Sequence, residues 1–247
     1  MSKRVRIGIL TPSSNTVLEP LSQRIIAELP EVTIHFSRFT VHKIALSATA
    51  LAQFDNSKII EAAKLLADAY VDVIGWSGTS SGWLGFEQDE KLCTEITAAT
   101  GIPATTSVLA LNKLIPKMKI ERLSLVTPYT VDVQEAIVKN YATIGVDCGL
   151  ERHLNQSHNA GFADISEATF DDMVEQLVES GAKHISVFCT GLKAAQRVEH
   201  WEERYGISVL DTVATVMWDA LKITGVDVSR VKGWGSIFHD TVSARSA

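Results

Sequence analysis

A chain of 247 residues with 46% hydrophobic side chains has material for one large domain or two modest ones around a real core. Its net charge of −6, with 21% charged residues, offers no basic face to nucleic acid or to an anionic membrane. No apolar run approaches the roughly 18 residues that span a bilayer, and Met1 to Val5 leads straight into a strand-like segment without a signal-peptide core, so a cytoplasmic protein is expected.

In chain order, Val5 to Leu10 reads as a buried strand that stops at Thr11-Pro12, and Ser13-Ser14-Asn15-Thr16 is a cap-rich loop before a helix through Ile26 and Leu29. Val32 to Phe39 alternates as a second strand, and Ser57 to Ala69 has apolar residues at helical spacing. Val71 to Trp76 is another buried strand, followed by the small-residue loop Ser77 to Gly82. A helix from about Gln88 to Thr100 is closed by Gly101, and Ile102 to Thr106 leads into a helix around Leu109 to Leu114.

The second half runs through the same landmarks. Leu123 to Tyr129 mirrors Ile7 to Ser13, each a buried run ending in Thr-Pro. Val133 to Ile144 reads as a helix, Asp147 to His153 as a strand, Phe170 to Val178 as a helix and His184 to Phe188 as a strand. Tyr205 to Val209 answers Thr100 to Ala104, and a last helix runs through Val213 to Leu221. Thr11 and Thr127 stand 116 residues apart and Gly101 and Gly206 stand 105 apart. Ordered matches at so steady a separation indicate an internal duplication. The expected class is α/β: two pseudo-symmetric parallel-sheet halves, 1–117 and 118–221, with 222–247 packing back on the first and a ligand cleft between them.

Three cysteines, Cys93, Cys148 and Cys189, are odd in number and lack any CxxC pair, so neither a disulfide framework nor a structural zinc site is expected. The histidines are scattered, and there is no GxGxxG or Walker-type loop, so no metal or other cofactor is expected. Cys189 differs from its fellows in ending a strand, with Thr190 and Gly191 after it and a helix expected to start near Lys193. A thiol there would feel the helix's positive end, which favours thiolate. Cys93 on a helix and Cys148 on a strand read as core residues.

Duplication brings four loops to the cleft: Thr11 to Thr16, Ser77 to Gly82, Thr127 to Asp132 and Cys189 to Leu192. They are rich in hydroxyls and amides, without a lysine or arginine short of Lys193. Such a pocket holds a carboxylate, and a developing oxyanion, by uncharged donors. Thr79, Ser80 and Ser81 are alternatively an ordinary turn, Asn15 a helix cap, and Trp76, Trp83 and Phe86 either core or an apolar subsite. Gly78 and Gly82 fit a close approach of backbone to ligand. Asp211 either orients a substrate or caps the following helix.

The duplicated halves, the Thr11-Pro12-Ser13-Ser14-Asn15-Thr16 and Val126-Thr127-Pro128-Tyr129 segments and Cys189-Thr190-Gly191-Leu192 resemble the aspartate/glutamate racemase superfamily. The chain is most similar to its branch of maleate cis-trans isomerases and arylmalonate decarboxylases. That resemblance implies flavodoxin-like halves and a cofactor-independent enzyme acting on a small carboxylate. Racemases and maleate isomerases carry a facing pair of cysteines, whereas here Gly78 stands at the first-half position and only Cys189 is present. This is similar to the decarboxylase pattern. The resemblance then implies that Thr79, Ser80 and Tyr129, with the amides of Thr190 and Gly191, hold a carboxylate and the enediolate left by loss of carbon dioxide, while Cys189 delivers the proton. Ser14 and Asn15 belong to an isomerase-like first loop, in which Asn15 would bind a substrate carboxylate. Decarboxylation of a substituted malonate is the leading expectation, isomerisation of a small dicarboxylate the alternative and a non-catalytic acid binder a third. A homo-oligomer is left open.

Overall fold

The β-branched run at the start of the chain forms strand β1 (Val5–Pro12), whose side chains are all buried except that of Arg6, and a strand so enclosed needs neighbours on both edges. In the computed structural model, which describes residues 4–41, 46 and 56–239, those neighbours are β2 (Val32–Phe39) and β3 (Val73–Trp76), and β4 (Ala104–Thr106) joins β3. The second sheet is built from β5 (Ser124–Thr127), β6 (Glu151–His153), β7 (His184–Val187) and β8 (Ser208–Asp211). The orders β2-β1-β3-β4 and β6-β5-β7-β8 are the same topology written twice, and every pairing is parallel.

Parallel strands need crossover helices, and these are α1 (Leu18–Ile25), α2 (Asn56–Asp68), the short α3 (Ser81–Leu84), α4 (Phe86–Thr100), α5 (Ser107–Lys117), α6 (Val131–Ala142), α7 (Glu167–Glu179), α8 (Val198–Tyr205) and α9 (Thr212–Ile223). Gly101 and Gly206 close α4 and α8 in the left-handed conformation, at φ 72° and 62°, where a side chain would be strained. The repeated Gly marks the same stop signal in both halves.

The chain leaves β1 to one side of its sheet and β3 lies on the other, so the loops after β1 and β3 border the switch point at which open α/β sheets bind ligands. The loops after β5 and β7 do the same in the second sheet. The four expected cleft loops are therefore the switch-point loops of two sheets. Helix α9 ties the halves together: its residues from Thr212 to Leu221 are all buried, and it packs against α1, α5 and β3 as well as β8. Ser107 Oγ donates to the Thr212 carbonyl at 2.7 Å, and Thr215 Oγ1 donates to the Ser107 carbonyl at 2.9 Å. Among the described residues no helix is long and apolar enough to cross a membrane.

Three elements depart from the sequence reading. Helix α1 ends at Ile25, and Ile26 and Leu29 are buried from the turn that follows. Only Glu151–His153 forms a strand where Asp147 to His153 was expected, with Asp147 making an isolated bridge to Arg122. No helix begins near Lys193. After Cys189 the chain turns on itself, the Leu192 amide donating to the Cys189 carbonyl at 3.4 Å, and a short 3-10 turn at Ala195–Arg197 precedes α8. Leu192, Ala194 and Ala195 are fully buried, so this stretch packs as a core turn.

Candidate active site

One backbone hydrogen bond fixes the correspondence of the two halves. The Ser77 amide donates to the Leu10 carbonyl at 3.1 Å, and the Phe188 amide donates to the Val126 carbonyl at 2.9 Å. Leu10 and Val126 each precede Thr-Pro, so Gly78 and Cys189, the residues that follow Ser77 and Phe188, occupy equivalent strand-end positions. Thr79 then corresponds to Thr190.

Each threonine reaches across to the other half. Thr79 Oγ1 lies 2.7 Å from the Tyr129 hydroxyl, and Thr190 Oγ1 donates to the Ser77 carbonyl at 3.2 Å. Asn15 holds two elements at once. Its Oδ1 accepts from the amides of Val17 and Leu18 at 2.8 and 3.0 Å, turning the chain into α1, while its Nδ2 donates to the Thr190 carbonyl at 3.0 Å. The capping role of Asn15 is thus present, and its amide donors are aimed at the second half's cysteine loop. Ser14 Oγ donates to the Val41 carbonyl and accepts from Asn159 Nδ2, the latter at 2.8 Å.

The thiol of Cys189 is 3% exposed and lies within hydrogen-bonding reach of the Tyr129 hydroxyl. The Gly191 amide donates to its sulfur at 3.4 Å. Burial pushes its pKa up to about 12; the Tyr129 and Gly191 contacts pull the other way and lose, and the nearby Asp211 carboxyl adds to the rise. This corrects the expectation of a thiolate favoured by a helix dipole: no helix starts at that point, and desolvation dominates. Tyr129, also buried, has its pKa raised first by burial and then by the thiol. Trp83 and Phe162 meet its ring edge to face, at centroid distances of 5.2 and 6.0 Å.

Gly78, Thr79, Ser80, Tyr129, Cys189 and Thr190 line one cavity, together with Pro12, Val41, Trp76, Trp83 and Asn159. The space left between these side chains is about 20 Å³, close to what one water needs. A larger hollow of about 720 Å³, lined by Phe86, Leu109, Ile115, Ile120 and Val146, takes in Phe86 but none of the other candidate residues.

Asn159 was not singled out in the sequence. It sits in the stretch after β6, on the edge shared by the four loops, and that position was its available signal. Trp76 and Trp83 reach the cavity, while Phe86 instead packs on Tyr141 at 5.1 Å. Both glycines are closely approached, but by aromatic rings: a Cβ on Gly78 would fall 2.0 Å from the Trp76 indole and one on Gly82 2.5 Å from the Phe188 ring. Asp211 Oδ1 caps α9 by accepting from Val213 and Ala214 at 2.8 and 3.3 Å. Cys148 is buried in the segment before β6, and Cys93 on α4 is half-buried.

Two duplicated parallel-sheet halves closing hydroxyls, amides and one thiol into a shared pocket define a class of α/β enzyme. A family model described as arylmalonate decarboxylase matches residues 16–238, and the chain belongs to that family. Arylmalonate decarboxylase of Bordetella bronchiseptica is 23% identical over 95% of this chain and 97% of its own length. Maleate isomerase of Pseudomonas putida is 26% identical over 90% of this chain and 92% of its own. Among solved structures, a cysteine-to-serine variant of Nocardia farcinica maleate cis-trans isomerase, holding a covalently bound succinylcysteine intermediate, superposes with a TM-score of 0.86 at 22% identity, covering 95% of this chain and 98% of that one. The protein is an enzyme of the branch that holds both activities.

Proposed function

We propose that this pocket decarboxylates a substituted malonate or a related small dicarboxylate without a cofactor. The observation that carries the reading is a single buried thiol, held in its protonated form, across from a glycine at the equivalent position of the other half. A thiol with a pKa near 12 is a proton donor at neutral pH and a poor nucleophile.

In this reading Thr79, Ser80 and Tyr129, with the Thr190 and Gly191 amides, hold the carboxylate that stays. The other carboxylate leaves as carbon dioxide, and its carbon–carbon electron pair spreads into an enediolate. Uncharged donors set beforehand stabilise that charge without a counter-ion to reorganise. Thr79 and Tyr129 pair with each other at 2.7 Å without the acid; each has one hydroxyl proton, so in this reading both turn to the carboxylate when it binds, and the thiol proton points at the substrate carbon. Cys189 gives that proton to one face, and the resulting thiolate regains a proton from water. Charge balances at each step: a dianion loses neutral carbon dioxide, and the enediolate gains one proton to become a monocarboxylate. A pocket of about 20 Å³ admits such a substrate only when its walls part.

Isomerisation of maleate is the second reading, favoured by the likeness to maleate isomerases and by the isomerase-like Ser14-Asn15 loop. The Nocardia farcinica isomerase variant forms a succinylcysteine after one cysteine has been changed to serine. At the first-half position, where a maleate isomerase is expected to carry its nucleophilic cysteine, this chain has Gly78, so addition to maleate would have to fall on Cys189 and would need the thiolate that burial opposes. Incubation with methylmalonate, phenylmalonate and maleate, followed by proton NMR, separates the two. Propionate and carbon dioxide from methylmalonate are the expected result, and fumarate from maleate would replace the first reading with the second.

A further inference from the structure

We propose that Trp76 sets the specificity of this pocket: its indole fills the first-half side facing Cys189, which keeps bulky substituents out and bars any side chain from position 78. The proposal rests on the reading that the pocket takes a substituted dicarboxylate.

Gly78 has an ordinary backbone conformation, so nothing about its φ demands glycine; the demand is for space. A Cβ built there would lie 2.0, 2.3 and 2.6 Å from three atoms of the Trp76 indole. That ring is 1% exposed and packs against Phe39 at a centroid distance of 4.9 Å, tilted 50°. With Phe39 behind it, the ring can yield only into the cavity it lines. Trp76 lies at the end of β3, held in register between Leu10 and Thr106, two residues before the position equivalent to Cys189. The indole and the thiol line the same cavity of about 20 Å³, so the volume a substituent would occupy on the first-half side is already taken by carbon. When the walls part, small acids are admitted and aryl-substituted ones are not until the ring is trimmed. The same ring makes the absence of a second thiol a packing requirement.

Two measurements test this. In a Cys189→Ser background, which removes the proton donor and holds the acids without completing turnover, the affinities of methylmalonate and phenylmalonate are compared with and without Trp76→Leu; Trp76→Phe serves if the leucine variant fails to fold. The phenyl-to-methyl affinity ratio should rise by about tenfold or more on trimming. An unchanged ratio overturns Trp76 as the selector while leaving the dicarboxylate reading in place. Failure of every protein to bind either acid overturns both. Independently of any ligand, Gly78→Ala should lower Tm by about 2–12 °C with Trp76 present and by clearly less in the Trp76→Leu protein. Equal losses in the two backgrounds would show that the ring is not what excludes a side chain at 78.

Discussion

The two strand-end loops start from the same backbone hydrogen bond and then part company. In the first half Ser77 is followed by Gly78 under an indole, and in the second Phe188 is followed by Cys189 under a tyrosine hydroxyl. The threonines that come next are also equivalent, yet Thr79 meets the Tyr129 hydroxyl while Thr190 is tied to the Ser77 carbonyl and to Asn15. The duplicated scaffold thus presents two unlike faces: hydroxyls and a blank wall from one half, and a thiol at the equivalent strand end of the other. The difference teaches that two repeats can keep one strand order while one backbone position in each takes a different side chain, and it is at that position that the proposed chemistry lies.

Four substitutions would break or sharpen that contrast. Removing the second half's distinguishing atom has the largest effect: Cys189→Ala should lower kcat/KM for a substituted malonate by about 10²–10⁴-fold with an unchanged circular dichroism spectrum. Retention of full activity would end the assignment. Tyr129→Phe deletes the hydroxyl that links Thr79 to the thiol, and the loss of one such donor should cost about 10²–10³-fold in kcat. Gly82→Ala tests the close packing of the halves, because its Cβ would meet the Phe188 ring at 2.5 Å. Urea unfolding should report a loss of about 1–3 kcal/mol, and an unaffected midpoint would show that the ring gives way freely.

The smallest effect is one of pH. Burial raises the Asp211 carboxyl from 3.8 to about 7, against the pull of the Val213 and Ala214 amides. Below pH 3.8 both folded and unfolded chains hold this proton. As pH rises from there to about 7, the unfolded chain releases it while the native carboxyl keeps it, so this group's share of stability falls across that window and is flat above it. Asp89, raised to about 6 by the same cause, acts with the same sign. Asp211→Asn keeps an oxygen for the cap and should flatten the decline in unfolding free energy between pH 4 and 7; an undiminished slope would mean that Asp211 ionises normally.

Much of this architecture was legible in the residues because it rests on local signals. Thr11-Pro12 and Thr127-Pro128 end buried apolar runs at equivalent places, and Gly101 and Gly206 each close a helix in the left-handed conformation. Cys189, Thr79 and Tyr129 could be placed at one edge from their offsets within those repeats. The state of the thiol could not, because it depends on how deeply two remote segments bury it. The same holds for Asn159, whose partner Ser14 is 145 positions away, and for the turn at Leu192 to Ala195, where core contacts outweighed helix propensity. The meeting of Trp76 and Gly78 joins near neighbours, yet it follows from the direction in which a buried ring turns, which no periodicity encodes.

At the centre of this account is a protonated Cys189 that serves one face of the bound acid while Trp76 and Gly78 leave the other without a donor. Turnover of ethyl(methyl)malonate, whose two substituents are small and unlike, in deuterium oxide, with chiral chromatography and NMR of the product, addresses it directly. The account predicts a single enantiomer carrying one deuterium at the α-carbon, and no such product from Cys189→Ala. A racemic deuterated acid, or full turnover without the thiol, would contradict it.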